Sequence, residues 1–305
     1  MTQQSIGLEK VSNARELGGY QIGNQSIRHG LLLRSGRLDG ASRRDIQILS
    51  EKFHLGAIVD FRMSMEQAEF PDCPVSGAIQ YALPVIEMTE QAVSTEMRTF
   101  MDPEADHLEW MANTRDLGFL NDRLYIDFLR PEQGRTAYRK FFRILLSLPE
   151  KRAVLWHCTD GKDRTGVAAM LLLTALGADR KLILRDYLLT NTFNAEKLEA
   201  GRKAMSGYSL SKERQELYLF SKRGGVCARF LENAMADLET AYGSVDGYLL
   251  KELGIGPDER DILRRKYLEH LKEYHRRDAF MSKKSTICTE SAGERQECAE
   301  DTSLQ

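Results

Sequence analysis

Ala153-Val154-Leu155-Trp156-His157-Cys158-Thr159-Asp160-Gly161-Lys162-Asp163-Arg164-Thr165-Gly166 is the stretch that decides the fold. Its first four residues are a short apolar run rich in strand formers, which predicts a buried strand of a parallel sheet. Residues 165–176 are small and apolar and stop at Gly177, which predicts a buried helix with a glycine C-cap. A strand-to-helix turn lies between them. Cys158 opens it, Arg164 closes it after five intervening residues, and Gly161 lets the chain bend between the two.

That turn has a specific chemistry. Backbone N–H groups of a curled loop entering a helix point inward and attract an anion, so residues 159–164 (Thr159, Asp160, Gly161, Lys162, Asp163 and Arg164) form a phosphate cradle. The same dipole stabilises a thiolate on Cys158. The planar fork of Arg164 matches two phosphate oxygens and follows their charge into the transition state. The Thr165 hydroxyl is placed to donate to the sulfur as it leaves a phosphoenzyme. His157 is read as orienting the loop by hydrogen bonding, not as a base. Together the parts imply attack of sulfur on a phosphate ester, then hydrolysis of a cysteinyl-phosphate.

With its residues laid out, the loop resembles that of the cysteine-dependent phosphatases, H-C-x5-R-[ST]. It is most similar to the atypical tyrosine and lipid phosphatases that carry H-C-x-x-G-K-D-R. Asn13-Ala14-Arg15-Glu16-Leu17-Gly18-Gly19-Tyr20 resembles the N-terminal motif of that family, Leu33-Arg34-Ser35-Gly36-Arg37-Leu38 its R-S-G-x-L segment, and Val59-Asp60-Phe61-Arg62 a strand end. Asp186-Tyr187-Leu188-Leu189-Thr190-Asn191 and Tyr242-Gly243-Ser244-Val245 are similar to later segments. The resemblance runs from residue 11 to residue 267. It implies a phosphomonoesterase acting on phosphotyrosine, on phosphoserine and phosphothreonine, and on phosphoinositides, with no metal or organic cofactor.

A leaving alkoxide or phenolate needs a proton, usually from a nearby aspartate. No Trp-Pro-Asp triplet is present, and Phe70-Pro71-Asp72 is only a distant echo of one. The resemblance points to Asp163, inside the loop. The second candidate is Asp60, at the C-terminal end of its strand, where open α/β sheets place their sites. For both, the competing role is a structural carboxylate bound to Arg15, Arg34 or Arg62. Lys162 adds a cation deep in the pocket, in the position it holds in the tensin-like lipid phosphatase loop, while the aspartates resemble those of the myotubularin loop. Both comparisons imply highly charged headgroups as substrates.

The rest of the chain agrees with an enzyme of α/β class: a mostly parallel sheet flanked by helices, with extra helical insertions. A net charge of −2 and the absence of a basic block argue against nucleic acid as partner. No apolar run approaches the roughly 20 residues of a membrane span, so membrane contact is at most transient and at the surface. The start lacks the regions of a signal peptide, which makes the cytoplasm the expected location. Five scattered cysteines do not suggest a disulfide framework.

One phosphatase domain is expected over residues 1–276 and a disordered polar tail over 277–305. Strands are predicted over 27–33, 57–61 and 79–83, with a helix over 43–53 capped by Ser42 between the first two. Residues 87–129, with Met88, Met97, Met101 and Met111, read as helices packed beside the core, a candidate lid. A helix over 133–148 ends at Pro149, and six more follow the loop helix, the last over 257–274 with Pro257 in its first turn. Two other classes compete: a phosphoryl-binding module without catalysis and a sulfurtransferase. Cys158, Arg164 and Thr165, all intact, favour phosphate hydrolysis.

Overall fold

In the computed structural model, described over residues 4–87, 106–113 and 123–270, the strands are short and the helices carry most of the chain. In chain order the elements begin with strands β1 (Arg15–Glu16), β2 (Gln21–Ile22), β3 (Gln25–Ile27) and β4 (Leu32–Ser35). Helix α1 (Arg43–Gln47) runs on as a π-helical turn over Ile48–Lys52. Strand β5 (Leu55–Asp60), helix α2 (Ser64–Glu69) and strand β6 (Ile79–Ala82) follow. Next come helices α3 (His107–Asn113), α4 (Ile126–Leu129) and α5 (Glu132–Ser147), then strand β7 (Ala153–His157) and helix α6 (Asp163–Leu176). The remainder is α7 (Arg180–Phe193), α8 (Ala195–Met205), α9 (Lys212–Lys222), α10 (Ala228–Tyr242), α11 (Val245–Leu253), α12 (Pro257–Tyr267) and the short strand β8 (Leu268–His270).

Five strands pair in the order β1-β4-β7-β5-β6, and only the edge strand β1 is antiparallel to its neighbour. All residues of β4, β5 and β7 are buried, as expected where both faces of a parallel sheet are covered. Alternation does the sorting. Leu33, Ile58 and Leu155 face a smaller core with Leu49 and Phe53, while Leu32, Val59, Val154 and Trp156 face a larger one with Phe141, Phe142, Val167 and Leu171. The register brings Ser35, His157 and Asp60 level at the C-terminal edge of the sheet. The loops leaving β4, β7 and β5 therefore converge there.

Several sequence expectations hold closely. Ser42 caps α1, accepting from the Asp45 amide at 3.1 Å, and Gly177 closes α6 with φ +95°. Three differ. The strand expected over 27–33 is two strands of different sheets, parted at Gly30, where φ is +76°. The helix over 43–53 widens into a π turn after Gln47. The last helix stops at Tyr267, seven residues short of the expectation, because the Tyr267 carbonyl accepts from the Arg28 amide (2.8 Å) and β8 joins the small sheet β2-β3-β8.

Met1–Glu269 forms one compact unit; of the second, His270–Gln305, only His270 is described. The tail expected over 277–305, with Cys288 and Cys298, lies outside the described residues, as do 88–105 and 114–122 of the candidate lid. Within that segment, α3 is helical as expected, and its Leu108 and Met111 are buried in the larger core. Among the described residues, no helix is long and apolar enough to cross a membrane.

Candidate active site

The loop Cys158–Arg164 emerges from the centre of the sheet and is built from behind. Gly161 has φ +66°, and a β-carbon there would overlap the backbone carbonyl of Ser35, so only glycine fits. Its own carbonyl accepts from Arg34 Nη2 and from Asn13 Nδ2, each at 2.9 Å, and Asn13 also reaches the Asp160 carbonyl at 3.1 Å. Arg34 is held in turn by Asp186 at 2.6 Å, which also takes Arg15 (3.3 Å) and the Tyr20 hydroxyl (3.0 Å). All four of these side chains are buried. Two guanidinium groups against one carboxylate leave a positive charge beneath the loop, which favours an anion above it. Burial first, then Arg34, lowers the Arg15 pKa to about 10.

Cys158 is only 2% exposed and free of any disulfide. Arg164 lies close enough to feel its charge. The guanidinium is oriented by a residue that the sequence reading passed over. Glu66, on α2, accepts from Nη1 at 2.6 Å and from Nη2 at 3.1 Å, and Nη2 also reaches Thr159 Oγ1 at 3.2 Å. The Thr159 hydroxyl donates to the same carboxylate. Both terminal nitrogens of the guanidinium are thus engaged, and Nε is the one without a hydrogen-bond partner among the described residues.

Burial raises the Glu66 pKa, but Arg164 outweighs burial and brings it down to about 2. The carboxylate therefore stabilises the fold above the ordinary carboxylate range, and this is lost as pH falls from there towards 2. Glu66→Gln should remove that part of the acid sensitivity, on the order of 2 kcal/mol. Melting temperatures at pH 6 and pH 3 check it: the drop between them should be smaller in the variant than in the parent chain.

Beneath Cys158, His157 is fully buried, with Nε2 2.9 Å from Asp72 and Nδ1 3.8 Å from Asp60. The Asp72 approach is an ion-pair contact whose angle falls short of a hydrogen bond. Burial pulls the imidazolium pKa down, yet Asp72 and Asp60 more than offset it and the net is upward. Asp72, set aside in sequence as an echo, is thus brought under the loop by folding. Asp60, Asp72 and His157 could together approach a metal ion, but Arg62 Nη2 already bridges the two carboxylates at 2.7 and 3.0 Å. That guanidinium occupies the cation's place.

The two acid candidates differ in their surroundings. Both oxygens of Asp60 are taken by Arg62, through its Nε, its Nη2 and its backbone N–H, at 2.7–3.0 Å. Arg62 is one of the three arginines named for the structural alternative to the acid role. Asp163, at the first turn of α6 beside Arg164, has a side chain 20% exposed. Its Oδ1 accepts from the Tyr125 hydroxyl at 2.6 Å, and its Oδ2 lies 2.9 Å from Lys162 Nζ.

Lys162 is as deep as expected but not unengaged. Its ammonium also donates to the Phe220 carbonyl at 2.9 Å and sits 3.8 Å from the centre of the Phe220 ring. The Thr165 hydroxyl is fully buried with no partner among the described residues.

A thiol and an arginine at opposite ends of a strand-to-helix loop, over a parallel sheet and a cationic underside, define the class of the cysteine-dependent phosphatases. Within that class the chain belongs to the tyrosine phosphatase family, whose model matches residues 6–269, and it is a hydrolase of the protein-tyrosine-phosphatase type. It is similar to a Cupriavidus necator protein named as a tyrosine-protein phosphatase, 31% identical over 83% of this chain and 85% of that one. A Mycobacterium tuberculosis protein named as a triple specificity protein phosphatase is 29% identical over 75% of this chain and 88% of its own length. A Nostoc commune tyrosine-protein phosphatase is 24% identical over 73% and 68% respectively.

Proposed function

We propose that the chain hydrolyses phosphomonoesters through a cysteinyl-phosphate on Cys158, with phosphotyrosine preferred and phosphoserine, phosphothreonine and phosphoinositides as further substrates. One observation carries the reading: a buried cysteine faces a pre-oriented arginine at the N-terminus of α6. Cys158 Sγ attacks phosphorus, the bond from phosphorus to the ester oxygen breaks, and Asp163 protonates that oxygen. Water then attacks phosphorus and gives its proton to Asp163. The phosphorus–sulfur bond breaks, and the Thr165 hydroxyl hydrogen-bonds the departing thiolate. Thr159 to Arg164 hold the non-bridging oxygens through backbone N–H groups and Arg164 Nε, with Nη2 exchanging Thr159 for a phosphate oxygen.

The breadth of substrates is supported by the relative named for three specificities. The preference for phosphotyrosine follows from Lys162. An extra phosphate of a lipid headgroup would have to draw the ammonium from the Phe220 carbonyl and from Asp163. No disulfide joins Cys73, Cys158 or Cys227, which fits the reducing cytoplasm proposed as the place of action.

The test is phosphate release from a phosphotyrosyl peptide, a phosphoseryl peptide and mono- and polyphosphorylated phosphoinositides, with chelator present throughout. The peptide carrying phosphotyrosine should be turned over fastest, and chelator should change nothing. Faster release from the polyphosphorylated lipids would reverse the order and assign Lys162 to headgroups. A folded protein silent on every substrate would leave a phosphoryl-binding module in place of the enzyme.

A further inference from the structure

Tyr125 and Tyr187 are absent from the reaction as derived, yet their hydroxyls form a continuous chain to Asp163. Tyr125 precedes α4, and its hydroxyl lies 2.6 Å from Asp163 Oδ1 and 2.6 Å from the Tyr187 hydroxyl on α7. The order of donors is fixed by counting hydrogens. Tyr125 has one hydroxyl hydrogen and Asp163, once ionised, has none. Tyr125 therefore donates to Asp163, and Tyr187 donates to Tyr125. Both rings are essentially buried, at 0% and 1% exposure, and stand edge to face with centres 6.0 Å apart.

We infer that Tyr125, supported by Tyr187, is a positioning residue that strengthens Asp163 as an acid by stabilising the carboxylate it becomes. This rests on Asp163 as the proton donor. As the bond to the leaving oxygen breaks, the Asp163 proton passes to that oxygen and negative charge appears on the carboxylate. The Tyr125 hydroxyl is already aimed at it, and the second hydroxyl polarises the first within a buried pair of rings. No proton leaves either tyrosine, since burial holds both phenols well above their ordinary pKa.

The groups that face Asp163 are Lys162, Arg164, Tyr125, Tyr187 and Tyr138. Arg34 and Cys227 act electrostatically on Tyr187. Lys162 and Arg164 act in the same sense as Tyr125. Tyr125, however, is the neutral donor among them with a direct bond to Oδ1, and removing its oxygen changes no net charge. The chain also gives the segment before α5 a role: it delivers a hydroxyl to the loop.

The experiment measures kcat against pH for phenyl phosphate, whose poor leaving group makes the first step limiting, and for p-nitrophenyl phosphate. In Tyr125→Phe the limb that falls with rising pH should move up by about one pH unit for phenyl phosphate. The plateau should fall several-fold with KM unchanged. The p-nitrophenyl ester, which needs little protonation, should show almost no loss. Tyr187→Phe, which breaks only the outer bond, should move the limb the same way by less, and it guards against a packing defect in the first variant.

Superposable profiles for both variants, with melting temperatures kept, would overturn the inference. Asp163→Asn separates it from the underlying reading. If that variant loses the falling limb while Tyr125→Phe leaves it in place, the acid stands and the tyrosine chain falls. If Asp163→Asn leaves phenyl phosphate turnover unchanged, both fall.

Discussion

Cys158→Ser should reduce turnover of a phosphotyrosyl peptide by a factor on the order of 10⁴ or more. The loop surrounds the sulfur with groups that meet an anion: α6 begins beside it and Arg164 stands opposite. His157, which Asp72 and Asp60 hold more basic despite its burial, lies beneath. A serine hydroxyl in that field stays protonated, since its ionisation lies far above what a helix end and an arginine can supply. Nucleophilicity falls, and any phosphoserine formed would have a poorer leaving group than a thiolate.

Binding should survive, because the cradle is made of backbone N–H groups and Arg164. Calorimetry with the same peptide should give a Kd within a few-fold of the parent chain. Residual turnover above about one percent would place the nucleophile elsewhere, for removal of a true nucleophile leaves only the contribution of binding and the anion cradle. Loss of binding as well as turnover would mean that the thiolate holds the cradle open.

Sequence and structure agree most where a local rule has one solution. A run such as Ala153-Val154-Leu155-Trp156 before a cysteine-to-arginine turn can be satisfied only by a buried strand feeding a helix, and β7 and α6 are that pair. Gly161 was legible for the same reason: its φ and the Ser35 carbonyl admit no side chain. Boundaries shifted where partners distant in sequence decided them. β8 ends α12 because it pairs with β3, the middle strand of the small sheet. Arg28, just after β3 and 240 residues before Leu268, bonds the Tyr267 carbonyl through its amide and the Leu268 carbonyl through its guanidinium.

The carboxylates were hardest to read. Glu66 sits in Met63-Ser64-Met65-Glu66-Gln67, where nothing marks it as the partner of an arginine 98 positions away. Its only local signal is a capping bond to the Met63 amide at 2.8 Å. Asp60 and Asp163 looked equivalent by type, and only folding gave one to Arg62 and the other to Tyr125. Charge partners in a folded chain are selected by proximity across elements, and spacing along the sequence does not encode it.

Asp186→Ala should be strongly destabilising, costing about 3–5 kcal/mol. The carboxylate is 1% exposed and receives Arg34 at 2.6 Å, Arg15 at 3.3 Å and the Tyr20 hydroxyl at 3.0 Å. Removing it leaves two guanidinium groups buried beside each other without a counter-charge. Neither has a route to water, as both side chains are 0% exposed. Arg15 would retain the Thr190 hydroxyl (3.2 Å) and backbone carbonyls of Asn13 and residue 186, and Arg34 the Gly161 carbonyl. Those are neutral acceptors and do not replace an anion.

The melting temperature should fall by roughly 10 °C, and Asp186→Asn should fall nearly as far, because shape is kept while the charge is lost. A drop under about 2 °C for both would mean that the guanidinium groups find other partners. Activity gives the second readout. Arg34 and Asn13 share the Gly161 carbonyl, so loosening Arg34 leaves Asn13 alone to hold the loop's bend. Below its melting point Asp186→Asn should therefore lose turnover with KM raised, the signature of a cradle that no longer fits its phosphate.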